Sequence, residues 1–415
     1  MSSAPTRRPP HQPPPLASRV PASGLRVLVA VMLVALNLRI AVTSLGALLD
    51  RLDAAGVGAT TQAVLTSLPV LCFAVVGGAA IALTRRYGTD RALLVALVVL
   101  TLGLALRPLD GTPVLVAGTA VACAGIALAN VLVPAVVKER FPDRVGPVTG
   151  AYTAALSVGS AAGAALTVPL ADVTGGWRPG LGLWAIIGLV ALVAWLPHAR
   201  AGSADDDAER GEPLWRDPTA WAITVLFATQ SLFAYVMMSW LPSVYADAGS
   251  SAQHAGVLLA VSIIAGIPAF FVAPIIAGRL RHQGHLIAGL TALTGLGWAG
   301  LALAPAGGAW LWAVLLGVGG AVFPVVLTMF GLRTSTAADT ATLSAMAQGT
   351  GYLLAAGGPF AVGVLHDATG GWGLPCSLLV GLAAVQIAAG YRAGRPVQVR
   401  SQTRLAKQRE SGASL

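Results

Sequence analysis

A single arginine lies in the middle of a long apolar segment near the N-terminus. The segment VLVAVMLVALNLRIAVTSLGALL has the length and composition of a membrane-spanning helix. Arg39 lies about 15 residues into it, which is roughly 22 Å deep at about 1.5 Å per residue. An arginine at such a depth costs about 2.5–3.5 kcal/mol on insertion scales. Its side chain must therefore face a partner, a cavity or a substrate.

The sequence offers Arg39 no carboxylate at the same depth. All 17 Asp and Glu residues fall in polar gaps, in the tails or at the ends of apolar segments. Hydrogen bonds to helix carbonyls, to Asn37 or to water remain an alternative for the guanidinium. The lack of an acidic partner favours a charge that is kept for an anionic or strongly polarised solute.

Small and polar residues accompany Arg39 on one face of its helix. Residues three and four positions apart share a face, so Arg39, Thr43 and Gly46 form one stripe. Asn37 and Ser44 flank this stripe. A stripe of small and polar residues in a helix otherwise rich in Leu and Val is typical of a cavity wall.

Polar and aromatic side chains in other apolar segments could complete a solute site. A carboxamide can bind a solute or a neighbouring helix, and an aromatic ring can pack in the core or form a wall around a flat solute. These candidates are Asn130, Gln230, Gln348, Tyr152, Tyr235, Tyr352 and Trp240. Together with Arg39, Asn37 and Thr43 they make up the predicted substrate site.

The titratable residues give no sign of catalysis or of a proton relay inside the membrane. All 6 histidines lie in tails, gaps or segment ends, so we expect no proton-carrying side chain at the midplane. Coupling would come through the charge of the solute, through exchange, or through a proton that moves with the anion. The apolar segments hold no nucleophile–base pair and no metal cluster, so we expect neither an enzyme nor a cofactor.

The elements that must position these residues are membrane helices. The chain is 56% hydrophobic and 10% charged, whereas soluble domains carry about 25% charged residues. We predict an all-α integral membrane protein with twelve transmembrane helices. They lie at roughly 24–49, 60–83, 91–108, 113–137, 146–171, 180–197, 218–242, 252–278, 286–304, 308–332, 342–365 and 373–392.

The basic residues predict the orientation and exclude a nucleic-acid partner. They lie in the short gaps between apolar segments, not on a soluble face, and 22 of the 26 fall in the even-numbered gaps and the tails. The odd-numbered gaps hold only Arg51, Arg107 and Arg178. The positive-inside rule then places both termini in the cytoplasm. The preference for Arg over Lys and the many alanines suggest a GC-rich bacterium, and therefore its plasma membrane.

An internal repeat divides the chain into two halves. The motif LADVTGGW at 170–177 returns 195 residues later as LHDATGGW at 365–372, and ALTRRYGTDRALL at 82–94 is echoed by AGRLRHQGHLIAG at 277–289. We predict two six-helix halves in parallel repeat with a solute site between them near the midplane. The predicted units are a disordered cytoplasmic tail (1–23), the N-terminal half (24–197), a cytoplasmic linker (198–217), the C-terminal half (218–392) and a cytoplasmic tail (393–415).

Several segments resemble the cyanate and 2-nitroimidazole transporter family of the major facilitator superfamily. The resemblance is carried by ALNLRIAVTSLGALL (35–49), SLPVLCFAVVG (67–77), ANVLVPAVVKERFP (129–142), TGAYTAALSVGSA (149–161), LTVPLADVTGGWR (166–178) and QSLFAYVMMSWLP (230–242). The family pattern usually has Pro after the Arg, where this chain has Ile40. The resemblance covers residues 27–390 and implies the major facilitator fold and transport by alternating access.

A charged loop after the second predicted helix resembles the superfamily's loop between helices 2 and 3. It contains Arg85, Arg86, Gly88, Asp90 and Arg91, but an uncharged residue stands where the family has an acid before the Arg pair. In the family this loop pairs charges on the cytoplasmic side and helps to hold the outward-facing state. In the alternative interpretation, these basic residues only anchor the helix ends on the cytoplasmic side, as the positive-inside rule describes.

The sequence thus predicts a secondary transporter of a small anionic or planar polar solute. That class includes a cyanate-like anion, a nitroimidazole-like solute or a small organic acid. The alternative is a drug or metabolite exporter in which Arg39 is structural. The expected partners are the solute and the lipid bilayer, and a monomer suffices for this architecture.

Overall fold

The computed structural model describes residues 22–201 and 214–399, and the regular elements in both parts are helices. The predicted tails up to residue 21 and from residue 400, and the predicted linker at 202–213, lie outside the described residues. The helices are α1 (Ala22–Gly46), α2 (Leu49–Ala54), α3 (Ala59–Val76), α4 (Ala79–Tyr87), α5 (Thr89–Leu106), α6 (Thr112–Arg140), α7 (Val145–Val173), α8 (Trp177–Gly182), α9 (Trp184–Ala201), α10 (Pro218–Asp247), α11 (Ala252–Arg279), α12 (Gly284–Leu303), α13 (Ala309–Gly319), α14 (Val322–Leu332), α15 (Ala337–Thr369) and α16 (Gly373–Ala393). We call α1–α9 the N-half and α10–α16 the C-half.

These helices provide twelve crossings of a bilayer. Ten segments in the described parts are long and apolar enough to span it, and the bent pair α3 and α4 makes an eleventh. The twelfth is α15, whose 33 residues are more than long enough. Its mean hydropathy is lower because Thr, Ser, Gly and Gln residues are frequent along it.

Two predicted helices are broken near their middle. The second crossing bends by 53° between α3 and α4, where Gly77 and Gly78 occur together. The tenth crossing is interrupted between α13 and α14, at Gly320 and Ala321. Glycine pairs and prolines weaken the helical hydrogen-bond ladder, but hydropathy does not reveal where a span breaks.

The hydrophobic core shows where the two halves meet. We call the side of the fold at which α1 begins and α16 ends the termini side, and the opposite side the far side. One core cluster contains residues of both halves, among them Val136, Phe330 and Tyr352. On the far side each half has a cluster of its own, around Leu48 in the N-half and around Trp298 in the C-half. The halves therefore join on the termini side and separate towards the far side.

Glycines allow the close approach of the halves on the termini side. Gly146 at the start of α7 lies directly against Pro274 and Gly278 near the end of α11. Gly331 at the end of α14 lies against Val145, 2.9 Å from the valine methyl group to the position that a Cβ would occupy. Small residues at helix contacts let two backbones pack closely in membranes.

Side-chain hydrogen bonds also join the halves. The Gln348 side chain in α15 donates to the carbonyl of Asn130 in α6 at 2.9 Å. The Thr153 hydroxyl in α7 donates to the carbonyl of Phe270 in α11 at 3.3 Å. Both bonds lie on the termini side of the middle of their helices.

One contact recurs in both halves, as a parallel repeat requires. Arg140 at the end of α6 donates to the carboxylate of Asp90, and Arg333 after α14 donates to the side-chain oxygen of Gln283. The partners lie 50 residues apart in both pairs. The N-half uses a carboxylate where the C-half uses a carboxamide.

Candidate functional site

A cavity lies between the halves, beyond the contacts that join them on the termini side. Its volume is about 440 Å³, which is within the range of small-molecule sites. Its walls come from α1, α3 and α7 of the N-half and from α10, α11 and α15 of the C-half, with further residues from α12, α13 and α14. Most of the lining residues lie between the middle of these helices and the far side, and Thr153 and Phe270 extend the wall towards the termini side.

Arg39 projects from α1 into this cavity. It is half-buried, and its neighbours on the cavity wall include Val42 and Thr43. The Thr43 hydroxyl donates to the Arg39 carbonyl at 3.1 Å. Among the described residues, no carboxylate forms a salt bridge with Arg39, and its guanidinium forms no side-chain hydrogen bond. The charge therefore faces the cavity without a counter-charge from the described part of the chain.

Two tyrosines face the same space as Arg39. Tyr235 and Tyr352 line the same cavity as Arg39, and their ring centroids are 6.2 Å apart. Within the described parts of the chain, neither hydroxyl has a hydrogen-bond partner. A guanidinium and two phenol O–H groups that converge on one cavity are suited to an anion, because each can donate to it.

The floor of the cavity is a ring contact between the halves. Tyr352 of α15 packs on Phe73 of α3 with the ring centroids 4.9 Å apart, and meets Phe227 edge-on at 5.0 Å. These rings belong to the core cluster that both halves share. Tyr352 therefore lines the cavity and also lies at the junction of the halves.

Gln230 lines the cavity, and other residues hold its carboxamide in place. Its side-chain nitrogen donates to the Gly320 carbonyl at 3.3 Å, and its oxygen accepts from Gln386 at 3.0 Å. Gln386 is fully buried in α16, and the sequence analysis did not select it. The feature of the sequence that could have indicated a role for Gln386 is a carboxamide within an otherwise apolar helix.

Five of the predicted substrate residues do not line this cavity. Asn37 is fully buried on another face of α1 and donates to the carbonyls of Leu33 at 2.8 Å and Ile187 at 3.2 Å, so it links α1 to α9. Trp240 donates to the Pro359 carbonyl at 2.8 Å and packs against Trp372. These two residues hold helices together.

The other three lie closer to the termini side. Asn130 and Gln348 meet in the hydrogen bond that joins the halves, and Gln348 also donates to the Ser344 hydroxyl at 2.7 Å. Tyr152 is buried in the core that both halves share. Of the ten predicted residues, the structure brings Arg39, Thr43, Gln230, Tyr235 and Tyr352 together.

Comparison with known proteins identifies the fold. The family model of the Major Facilitator Superfamily matches residues 27–359. The chain belongs to the Major Facilitator Superfamily. The chain is 37% identical over 381 residues to the 2-nitroimidazole transporter of Escherichia coli strain K12, which covers 90% of this chain and 97% of that protein. It is 30% identical over 375 residues to the cyanate transport protein CynX of the same strain, covering 87% and 96% of the two chains.

The fold also matches a solved superfamily structure. The crystal structure of the superfamily transporter FucP in its outward conformation has a TM-score of 0.75 at 14% sequence identity, with 89% of this chain and 99% of that chain covered. The predicted twelve-helix superfamily fold and the predicted relationship to the cyanate and 2-nitroimidazole transporters are confirmed. The protein is a multi-pass membrane transporter.

The charged loop of this superfamily member lies within the N-half. Gly88 has a φ of +79°, which favours glycine, and lets the chain turn from α4 into α5. Asp90 pairs with Arg140, and its carbonyl accepts from the Trp195 indole at 2.9 Å. Arg85 and Arg86 lie in the last turn of α4, and Arg91 is exposed in the first turn of α5. Their predicted part in conformational switching stays a prediction.

Arg107 directly follows α5, in the gap to which the sequence assigned it, but its side chain is buried in the bundle. It is fully buried and donates from Nη1 to the Ala41 carbonyl of α1 at 2.7 Å. Within the described parts of the chain, its Nε and Nη2 have no hydrogen-bond partner. Hydropathy could not reveal this burial, because a basic residue at a segment end can point either into the bundle or into water.

The sequence analysis also missed much of the cavity wall. Hydroxyl residues of α7 and several large apolar residues of the C-half face the cavity. They include Ser157, Ser160, Met237, Met238, Phe270 and Phe323. Such residues are common in membrane helices, and only the packing of the helices decides which of them face inward.

Proposed function

We propose that this superfamily member is a secondary active transporter of a small anionic or planar polar solute, and that it works by alternating access. The observation that carries the proposal is the half-buried Arg39, which has no counter-charge among the described residues and faces a cavity between the halves. A buried charge is retained at such a cost when it has a function. A solute anion supplies the missing partner.

The relatives support this class of solute. By their names, one moves a planar azole and the other a triatomic anion. The Arg39 guanidinium and the hydroxyls of Tyr235 and Tyr352 can donate hydrogen bonds to either. Hydrogen bonds to a charged group contribute about 1.5–3 kcal/mol each, so Arg39 favours the anion over a neutral solute of equal size.

The arrangement of the halves supports an outward-open state. We propose that both termini are cytoplasmic and that the protein lies in a bacterial plasma membrane, as the distribution of Arg and Lys indicates. The cavity then opens to the outside, and the contacts of Gly146 with α11 and of Gln348 with α6 close the cytoplasmic side. Release of a solute to the cytoplasm requires these contacts to separate.

The apolar part of the cavity favours one alternative. Phenylalanine and methionine side chains make up much of the C-half wall, and such a wall also suits amphipathic drugs or metabolites. In that alternative the protein is an exporter and Arg39 is structural. Solute binding would then not depend on the charge of Arg39.

Ligand-induced thermal stabilisation of the purified protein tests the proposal. The panel holds cyanate, nitrate and carboxylates, neutral azoles and cationic drugs, each applied to the wild type, Arg39→Gln and the control Arg51→Gln. Arg51 is exposed on the far side and pairs with Asp172 at 2.7 Å. We expect an anion to stabilise the wild type and Arg51→Gln but not Arg39→Gln. Stabilisation by drugs alone, unchanged in Arg39→Gln, would support the exporter.

A further inference from the structure

The walls of the cavity differ in chemistry between the two halves. The N-half supplies the guanidinium of Arg39 and the hydroxyls of Thr43, Ser157 and Ser160. The C-half supplies most of the aromatic rings and both thioethers, together with polar groups such as Gln230. The rings and thioethers include Tyr235, Tyr352, Phe270, Phe323, Met237 and Met238. A solute that contacts both halves therefore needs a charged or polar end and an apolar body.

The size of the cavity points to the same conclusion. A volume of about 440 Å³ is far larger than a triatomic anion needs. Such an ion at Arg39 would leave the rings of the C-half in contact with water alone, and that apolar surface would contribute nothing to binding. A larger body that covers the rings gains about 25 cal/mol for each Å² of apolar surface removed from water.

The rings favour a flat, aromatic body. Tyr235 and Tyr352 line the same cavity as Arg39, with their centroids 6.2 Å apart. Aromatic groups at 4.5–7 Å separation gain about 0.5–1.5 kcal/mol beyond their area of burial, and sulfur–aromatic contacts with methionine add to this. Methionine and aromatic side chains therefore bind a planar ring better than they bind an aliphatic chain of equal size.

The number of charges on the solute follows from the single cation. Among the described residues that line the cavity, Arg39 is the one with a permanent charge. A second carboxylate on the solute would have no second cation among these lining residues to pair with, and burying an unpaired charge is costly. A monoanion is the charge state that the site can neutralise.

We propose that the preferred solutes are aromatic monocarboxylates, with the carboxylate at Arg39 and the ring against the C-half wall. This inference rests on the proposed function and narrows its solute class. The ligand touches both halves at once, the N-half through its charge and the C-half through its ring. Binding at this position draws the two walls together, which is the contact that closure of the far side requires.

Isothermal titration of the purified full-length protein tests the inference with five probes. They are benzoate, acetate, cyanate, the neutral analogue benzamide and the dianion benzene-1,4-dicarboxylate. We expect benzoate to have a Kd at least about tenfold lower than acetate or cyanate, which corresponds to about 1.4 kcal/mol. We expect the dianion to bind more weakly than benzoate.

Variants of Arg39 and Tyr235 test separately how the carboxylate and the ring of the solute are bound. Arg39→Gln should weaken benzoate binding by at least about tenfold and weaken benzamide binding much less, because benzamide carries no charge for Arg39 to neutralise. Tyr235→Leu should reduce the preference for benzoate over acetate, whereas Tyr235→Phe, which keeps the ring and loses only the hydroxyl, should keep that preference. Arg51→Gln and Phe360→Leu are the controls, since both side chains are exposed outside the cavity.

The outcomes separate this inference from the proposed function. If acetate and cyanate bind as tightly as benzoate and all three depend on Arg39, the aromatic preference is wrong and the anion transporter stands. A dianion that binds more tightly than benzoate also overturns the inference. If no anion binds, or if benzoate binds equally well to Arg39→Gln, both proposals fail.

Discussion

At the scale of the residue, Arg39 shows how one guanidinium is tolerated inside a membrane protein. Arg39 was identifiable from the sequence because no carboxylate lies at its depth, and Thr43 because it is one helical turn away. Asn37 was equally polar, but its position relative to Arg39 turns it towards α9, where it donates to the Ile187 carbonyl at 3.2 Å. Tertiary packing decides which face of α1 contacts a neighbouring helix, and this face cannot be deduced from the periodicity of α1 alone.

A second buried arginine offers a test at this scale. Arg107 is fully buried with one hydrogen bond and two unpartnered nitrogens, so its charge is poorly compensated. Replacing a poorly compensated buried charge by an apolar residue of similar size can stabilise a protein by about 1–4 kcal/mol. We expect Arg107→Met to raise the thermal unfolding temperature of the purified protein.

The smaller substitution Arg107→Ala is the comparison. It removes the same charge but leaves a cavity, which costs about 24 cal/mol per Å³, so we expect it to be less stable than Arg107→Met. If Arg107→Met unfolds at a lower temperature than the wild type, the Arg107 bond to α1 contributes more than its burial costs, and the residue is a structural tie.

At the scale of the element, glycines determine how closely α1 and α7 pack. A Cβ on Gly163 would meet the Thr43 hydroxyl and lie 3.0 Å from the Ile40 carbonyl, and a Cβ on Gly159 would meet the Leu36 carbonyl. The sequence shows these glycines but not the helix against which they pack. The same limit explains why the break between α3 and α4 was missed, since a glycine pair is compatible with a straight or a bent span.

Gly163→Ala tests this packing. The added methyl must push α7 away from α1, and overpacking of this kind costs about 1–3 kcal/mol. We expect a lower unfolding temperature and weaker anion binding, because Thr43 and Arg39 share the displaced face of α1. Gly357→Ala is the matched control, since nothing lies within 4 Å of its Cβ position. Equal effects of the two substitutions would mean that the contact between α1 and α7 is not tight.

At the scale of the whole molecule, the contacts on the termini side hold the two halves together there and leave the cavity between them on the far side. The sequence predicted two halves in parallel repeat and a site between them, because motifs recur 195 residues apart. It could not predict which side is closed, because the same sequence must form both states. The packing of Gly146 against α11 shows that the termini side is the closed one.

Gly146→Leu should shift the balance between the two states. A leucine at Gly146 collides with Pro274 and Gly278, so the termini side must open and the far side should close. The measurement is the rate at which a water-soluble thiol reagent modifies Met238→Cys on the cavity wall. We expect a lower rate in the Gly146→Leu background and no change in a Gly357→Leu background. A rate that rises or stays the same would show that the two sides are not coupled.

The unpaired charge also bears on the mode of transport. An empty protein that closes both sides buries Arg39 without a counter-charge, which costs several kcal/mol. A bound anion removes this cost, so the loaded protein should change state faster than the empty one. We expect uptake of an anion into proteoliposomes to rise when the vesicles are preloaded with the same anion. Equal rates with and without preloading would argue that the empty protein changes state freely.

The central claim is that Arg39 is the counter-charge of the transported solute. The most direct test is the uptake of radiolabelled benzoate and cyanate into proteoliposomes that contain the wild type, Arg39→Gln or Arg51→Gln. Loss of one charge-assisted hydrogen bond should lower the uptake rate at least about tenfold. We therefore predict an uptake rate at least about tenfold lower for Arg39→Gln and an uptake rate close to that of the wild type for Arg51→Gln. Full transport by Arg39→Gln of every anion that the wild type carries would contradict the account.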